Sequence, residues 1–267
     1  DILSAKLIEQ AGFPAIFTSG FGLSASTLGL PDIGLLTMTE TLDRVRRIVD
    51  AVSVPVIADV DTGYGNPLNV VRTVSECVML GVAGIILEDQ LWPKKCGHME
   101  GKGVIPLEEQ VEKVRAAVYA KGDDDLVIIA RTDAIAPMGL EEAIRRGHAY
   151  AEAGADVVFI EAPRSIYELK TVAASFDVPL LANMVEGGKT PFLSARELEE
   201  LGFKLAIFPV SGLFAATRAI REVARHLKAS GTTAGYGDMV SFGEFEEIIG
   251  AQHFREIEAR FAVQGQP

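Results

Sequence analysis

Two hydrophobic patterns alternate along this chain. Short runs are apolar throughout, at 15–17, 54–60, 84–87, 126–130, 157–160, 179–182 and 205–208. Unbroken apolar runs of that length fit parallel strands covered on both faces. Between them, apolar positions recur every three or four residues and predict helices over 2–11, 39–51, 67–81, 107–121, 139–153, 165–175, 194–202 and 212–229. Punctuation supports these elements. Asp1 is placed to cap the first helix, Thr39 precedes Leu42 and Val45, Pro67 opens a first turn, and Ser194 with Glu197 forms a capping box. Gly12, Gly81, Gly154 and Gly202 close helices.

Seven strands separated by helices, at roughly 25–35 residues per unit, predict an α/β chain folded as a single (β/α)8 TIM barrel over residues 1–240. The eighth strand is expected before Asp1. The alternative is an open doubly wound sheet, and no G-x-G-x-x-G follows a first strand to support a dinucleotide version. Residues 241–263 read as one or two amphipathic helices beyond the barrel. Their Phe242, Phe245, Ile248, Ile249, Phe254, Ile257 and Phe261 need an apolar surface, on the same barrel or on a neighbouring subunit.

Composition narrows the function. With 267 residues, 48% of them hydrophobic, the chain can bury a sizeable core. A net charge of −12 argues against nucleic acid and anionic membrane as partners, and no apolar run approaches membrane length. Cys77 and Cys96 form no disulfide framework, so a reducing cytoplasm is expected. An anionic substrate would need local positive charge or a metal to offset the general field.

The strand ends carry that chemistry. They read Thr18-Ser19-Gly20, Asp59-Val60-Asp61-Thr62-Gly63, Glu88-Asp89, Arg131-Thr132-Asp133, Glu161, Asn183 and Pro209-Val210-Ser211. In a barrel these ends meet on one face, where such folds keep their active sites. Asp59 and Asp61, two apart on a strand, would point the same way and repel unless a cation lies between them. With Glu88 they make an all-oxygen set suited to Mg²⁺, or Mn²⁺, completed by water and substrate. The structural alternative is a salt-bridged network with Arg131. Arg131 fits a bidentate carboxylate clamp, and could equally neutralise Asp59 or Glu161. The turn Ser19-Gly20-Phe21-Gly22 could offer backbone N–H groups to a carboxylate, or simply be a tight turn.

After Glu88-Asp89 the chain opens into a glycine-containing loop with Lys94, Lys95, Cys96 and His98, read as a mobile lid. Nearby cations favour thiolate, so Cys96 could be a general acid/base or a nucleophile. A solvated loop is the alternative. Cys77 is expected in the core, and His148, His226 and His253 lie on predicted helices.

The stretches SGFGLSASTLGLPDIGLLTMTE (19–40), DVDTGYGNPLNVVRTV (59–74), EDQLWPKKCGHMEGKGVIP (88–106), ARTDA (130–134), EAP (161–163) and NMVEGGKTP (183–191) resemble the isocitrate lyase/phosphoenolpyruvate mutase superfamily. The resemblance covers nearly the whole chain. It implies a barrel whose last helix is exchanged between subunits in a homotetramer, a dimer of helix-swapped dimers, which would give 241–267 its partner. It implies Mg²⁺ on Asp59, with Asp61, Glu88 and Asp32 acting mainly through water. Ser19, Gly20, Phe21 and Arg131 would hold a pyruvate-like group, and Glu161 and Asn183 the rest of a carboxylic acid substrate. Lys94 and Cys96 match lid residues of the lyase branch, Cys96 as the acid that protonates a departing carbanion, with Gly97 and His98 completing the motif.

The Cys-Gly-His lid is unlike that of the phosphonate mutases, and the long insertions of isocitrate lyases proper are absent. Asn183 to Gly188 resembles the alkylmalate lyase group more than 2-methylisocitrate lyase, where a hydroxyl residue is expected at Val185. Pro209 stands where oxaloacetate hydrolases tend to carry serine. The resemblance therefore implies a carbon–carbon lyase acting on a 2-alkylmalate or 2-methylisocitrate type of hydroxy acid and releasing pyruvate. Oxaloacetate decarboxylation or hydrolysis and carboxyphosphonoenolpyruvate mutation are the alternatives.

Overall fold

In the computed structural model, residues 1–97, 101–237 and 239–262 are described. The elements follow one another as α1 (Ile2–Gln10), β1 (Ile16–Thr18), α2 (Gly20–Leu28), α3 (Met38–Val49), β2 (Val56–Asp59), α4 (Pro67–Met79), β3 (Gly84–Glu88) and α5 (Leu107–Lys121). Then come β4 (Val127–Thr132), α6 (Ile135–Met138), α7 (Leu140–Glu152), β5 (Val157–Ile160), α8 (Ile166–Ser175), β6 (Leu180–Asn183), α9 (Ala195–Leu201), β7 (Leu205–Ile207), α10 (Ser211–Ser230), α11 (Phe242–Ile249) and α12 (Ala251–Phe261). Among the described residues the sheet has seven strands, paired in parallel in the order β1 to β7, as in a nearly closed (β/α)8 barrel. All strands run the same way, so their carboxyl ends share one face. In register, Glu88 lies beside Arg131 and Thr132 beside Ile160.

The alternation of strands and helices matches the hydrophobic pattern, with two helices added. The helix α2 begins at the turn predicted from Ser19 to Gly22; Ser19 is its N-cap, accepting from the Gly22 N–H at 3.2 Å. The segment GFGLSASTL has two glycines and no charged residue, so it has little polar face to mark a helical period. The four-residue α6 is too short to show one. The cap of α3 is Thr37 with Glu40, not Thr39. Thr37 has the reciprocal glutamate three residues on, which Thr39 lacks.

Inside the barrel, Ile86, Ile129, Val157, Phe159, Leu181 and Ile207 pack together. Larger apolar clusters fill the space between sheet and helices, around Val45, Val74 and Ile85 on one side and Val158, Leu169 and Leu198 on the other. Phe159 tops the inner column, and the Arg131 guanidinium lies over its ring, 5.2 Å from the centroid. The apolar core thus ends where the charged site begins.

The helices α10, α11 and α12 bury no residue, and Phe214, Ile220, Phe242, Phe254 and Phe261 are exposed. Every earlier helix buries at least one. No helix among the described residues is long and apolar enough to cross a membrane.

Candidate active site

The carboxyl ends of β2 and β3 form an acidic side. Asp59 closes β2; its Oδ2 accepts from the Gly20 N–H at 3.1 Å and its Oδ1 from the Asp61 N–H at 3.1 Å. The Gly20 N–H of the glycine turn is thus used within the protein, on Asp59. The strand stops at Asp59, so Asp59 and Asp61 do not share a pleated face as the spacing predicted. The chain turns instead, with Asp61 at φ 49°, a left-handed conformation that costs an ordinary residue roughly 1–3 kcal/mol. The turn still gathers both carboxylates. A Cβ at Gly20 would stand 2.8 Å from Asp59 Oδ2 and 3.4 Å from Asp61 Oδ1. Lys94, from the lid, pairs with Asp61 at 2.6 Å and also with Asp32. Buried Glu88 has Oε2 3.4 Å from Arg131 and, among the described residues, no hydrogen-bond partner for Oε1.

Electrostatics follow from that crowding. Burial pushes the Asp61 carboxyl up to about 7; Lys94 opposes the rise, and Asp59 and Asp32 add to it. Burial also raises Glu88 well above the usual carboxylate range, although Arg131 pulls the other way. Burial alone would lower Lys94, but Asp61, Glu88, Asp59 and Asp32 together raise it, so it stays charged.

The ends of β4, β5 and β6 form a second side. Arg131 donates from Nε to Asp133 Oδ2 at 2.8 Å and from Nη2 to Asp133 Oδ1 at 3.0 Å. Asp133 also takes the Lys102 ammonium at 2.5 Å. Burial pushes Asp133 up, but Arg131 and Lys102 outweigh it and hold the carboxyl at about 2. Beyond them, Asn183 Nδ2 donates to both Glu161 oxygens at 3.2 and 3.3 Å.

The lid closes over both sides. Its two arms are pinched at the base by a bridge between Gln90 and Val104, by Leu91 N–H to Gly103 O at 2.9 Å, and by Ile105 N–H to Asp89 O at 2.9 Å. The Gln90 amide brackets the Lys95 backbone at 2.8 and 2.9 Å. Gly97 is buried so closely that a Cβ there would sit 2.6 Å from Arg131 Nη2 and 2.7 Å from Glu161 Cδ. Half-buried Cys96 is therefore one residue from the point where lid and strand ends touch.

Comparison with known proteins identifies the family. The phosphoenolpyruvate phosphomutase family profile matches residues 1–228. The chain belongs to the phosphoenolpyruvate mutase/isocitrate lyase superfamily. It is 49% identical to the 2,3-dimethylmalate lyase of Eubacterium barkeri over 263 residues, 98% of this chain and 91% of that one. Among solved structures, an oxaloacetate acetylhydrolase in complex with the inhibitor 3,3-difluorooxalacetate superposes with TM-score 0.94 at 37% identity, over 100% of this chain and 91% of that one. A phosphonopyruvate hydrolase complexed with oxalate and Mg²⁺ does so with TM-score 0.87 at 36% identity, over 98% and 91%.

Most of the superfamily positions expected from sequence come together. Asp32, Asp59, Asp61, Glu88 and Lys94 make one cluster, and Arg131, Gly97, Glu161 and Asn183 the other. Ser19 and Gly20 flank the acidic side through the α2 N-terminus, and half-buried Phe21 follows them on that helix. Pro209 lies just past β7, before α10. His98 falls outside the described residues. The acidic cluster fits a divalent cation: among the described residues four carboxyl groups face one lysine, and Glu88 Oε1 has no donor. Among the described residues no three His, Cys, Asp or Glu side chains are gathered so as to hold an ion alone. Mg²⁺ suits that geometry, since it commonly takes one or two protein oxygens and keeps water or substrate for the rest.

Sequence reasoning gave Lys102 no part in the site and named Asp133 only within the strand-end triplet Arg131-Thr132-Asp133, without a role. Asp133 lies one residue past β4, and the Arg131 guanidinium reaches it there through two hydrogen bonds. Asp89 was grouped with Glu88 but faces the opposite way. It accepts from Thr132 Oγ1, the Asp133 N–H, Arg146 and the Tyr150 hydroxyl, and anchors β3 to β4 and α7.

Proposed function

We propose that the protein is a Mg²⁺-dependent carbon–carbon lyase that cleaves a 2-alkylmalate type of hydroxy acid into pyruvate and a second carboxylic acid. The observation that carries this reading is the pairing of a cation-demanding acid cluster with an arginine clamp, under a lid that bears a thiol. Asp59 would hold the metal, with Asp61, Glu88 and Asp32 bonding its waters. Bound there, Mg²⁺ would stabilise negative charge on the oxygens of an α-oxo acid. Arg131, oriented by Asp133, binds the carboxylate of the pyruvate portion, and Ser19, Gly20 and Phe21 border it. Glu161 and Asn183 face the remainder of the substrate.

In the reaction the 2-hydroxyl loses its proton and the C2–C3 bond breaks. The C2 carbonyl forms, and the electron pair left on C3 takes a proton from the Cys96 thiol. The hydroxyl proton balances the one that the thiol gives up. The lid keeps water from that carbanion. Lys94 ties the lid to the acid cluster.

The same metal and clamp would serve oxaloacetate hydrolysis, and likeness to an oxaloacetate acetylhydrolase keeps that second reading open. Pro209, with no hydroxyl, favours the lyase. A helix segment over 241–267 swapped between subunits, a homotetramer and a cytoplasmic location complete the proposal; the unburied apolar faces of α10 to α12 support an interface between copies. Light scattering should then give four chains per particle; a monomer would remove that part of the reading.

The test is pyruvate release from 2,3-dimethylmalate, 2-methylisocitrate and oxaloacetate, with Mg²⁺ and with chelator. The lyase reading predicts pyruvate from a hydroxy acid, abolished by chelator. Turnover of oxaloacetate alone would replace it with the second reading.

A further inference from the structure

Lys102 is a buried cation that the proposed chemistry does not use. It lies on the returning arm of the lid, and its side chain is 1% exposed. A buried ammonium is costly unless it is well matched, so its partners indicate its purpose. It has two. One is Asp133, at 2.5 Å, whose carboxylate also grips the Arg131 guanidinium through two hydrogen bonds. The other is the backbone carbonyl of Gly97. A simple stabilising ion pair would need only Asp133. The bond to Gly97 runs to the residue beside Cys96, at the point where the lid presses on Arg131 and Glu161.

One ammonium therefore spans the lid backbone next to the thiol and the acid that orients the substrate clamp. The opposite arm is held differently, by Lys94 on Asp32 and Asp61. Metal and carboxylate binding depend on groups that Lys102 does not touch directly. The segment around Cys96 is held on one side by the Gln90 amide on the Lys95 backbone and on the other by Lys102 on the Gly97 carbonyl.

We propose that Lys102 is a positioning residue: by bonding the Gly97 carbonyl and Asp133 together, it holds the Cys96 thiol in place over a substrate already gripped by Arg131. This rests on the reading of Cys96 as the proton donor. Replacing the ammonium should leave the ground-state ligand bound and lose the aligned proton transfer. The effect belongs in kcat rather than in the affinity for oxalate, which needs only metal and clamp.

The experiment uses the full chain with Mg²⁺ and compares Lys102→Met, Lys102→Arg and Cys96→Ser. For Lys102→Met, kcat on the hydroxy acid should fall about 100-fold, while the oxalate dissociation constant stays within about threefold. Alkylation of Cys96 by iodoacetamide in the oxalate–Mg²⁺ complex should rise at least about tenfold as the lid opens more often. Buried Cys77, its thiol pushed up to about 12 by burial and by Glu76, serves as the unreactive control. Lys102→Arg should recover part of both losses.

Unchanged kcat and alkylation would overturn the proposal. So would a parallel loss of oxalate binding, which would reduce Lys102 to a support for Arg131. An active Cys96→Ser would overturn the proton-donor reading and with it the purpose given to Lys102. An inactive Cys96→Ser beside a fully active Lys102→Met would overturn the lysine assignment alone. Should Lys102→Met fail to fold, the unaltered chain gives the answer. In the oxalate–Mg²⁺ complex Lys102 should resist amine acylation while exposed Lys170 is labelled. Equal labelling of the two would overturn the proposal.

Discussion

Asp61 and Asp133 are both buried acids just past the end of a strand, yet one carboxyl is pushed up to about 7 and the other held at about 2. Burial acts upward on both. What differs is the company. Asp61 shares Lys94 with Asp32, and Asp59 and Glu88 crowd the same space. Asp133 is gripped by both Arg131 and Lys102, and the more distant Glu88, 3.4 Å from Arg131, competes for the guanidinium. The two halves of the strand-end face therefore have opposite needs: the β2–β3 half lacks positive charge, while the β4–β5 half is held around a fixed guanidinium. A ligand that brings a divalent cation to one half and a carboxylate to the other satisfies both.

Removing the guanidinium should break this contrast most severely. Arg131→Met leaves Asp133, Glu88 and Glu161 facing one another, and a loss of about 3–5 kcal/mol in stability is expected from stranding buried charge. Thermal unfolding without ligand reads that loss; an unchanged Tm would mean that the acids on this half are satisfied elsewhere. Next in size is the lid contact. Gly97→Ala puts a methyl group against Arg131 and Glu161. Turnover should drop about 100-fold with Mg²⁺ affinity unchanged, since the acid half is untouched. Full activity would show that the lid rests elsewhere during catalysis.

The smallest effect concerns pH. The Asp133 carboxyl lies below its ordinary value of 3.8, so its ionised form stabilises the fold above that pH, and the contribution disappears as pH falls toward about 2. The stability gap between the unaltered chain and Asp133→Asn should be constant above pH 4 and shrink by about 2 kcal/mol as pH falls toward 2. Denaturant titrations across that range measure it. A gap independent of pH would mean that Asp133 is not ionised in the fold.

Much of this was legible in the chain. Seven buried apolar runs announced a parallel barrel, and acids or amides at their ends announced one chemical face, because strand direction forces those ends together. The Asp59–Asp61 pair was read correctly as a cluster but for the wrong reason. A strand pleat was assumed where a left-handed turn performs the gathering, and φ is not visible in residue spacing. The helix α2 was hidden because its nine residues carry no charge to mark a polar face. Lys102 was hidden because a lysine in a polar loop reads as solvated. Only the folded lid shows its ammonium inside, between Gly97 and Asp133.

The central claim is a two-sided site in which cation and carboxylate bind together. Calorimetric titration of the protein with oxalate, once in Mg²⁺ and once in chelator, tests it most directly. The account predicts binding in Mg²⁺ and at least a roughly 100-fold loss in chelator, since the acid half would then repel the ligand that Arg131 attracts. Equal affinity in both conditions would contradict it and leave Arg131 as a carboxylate site independent of any metal.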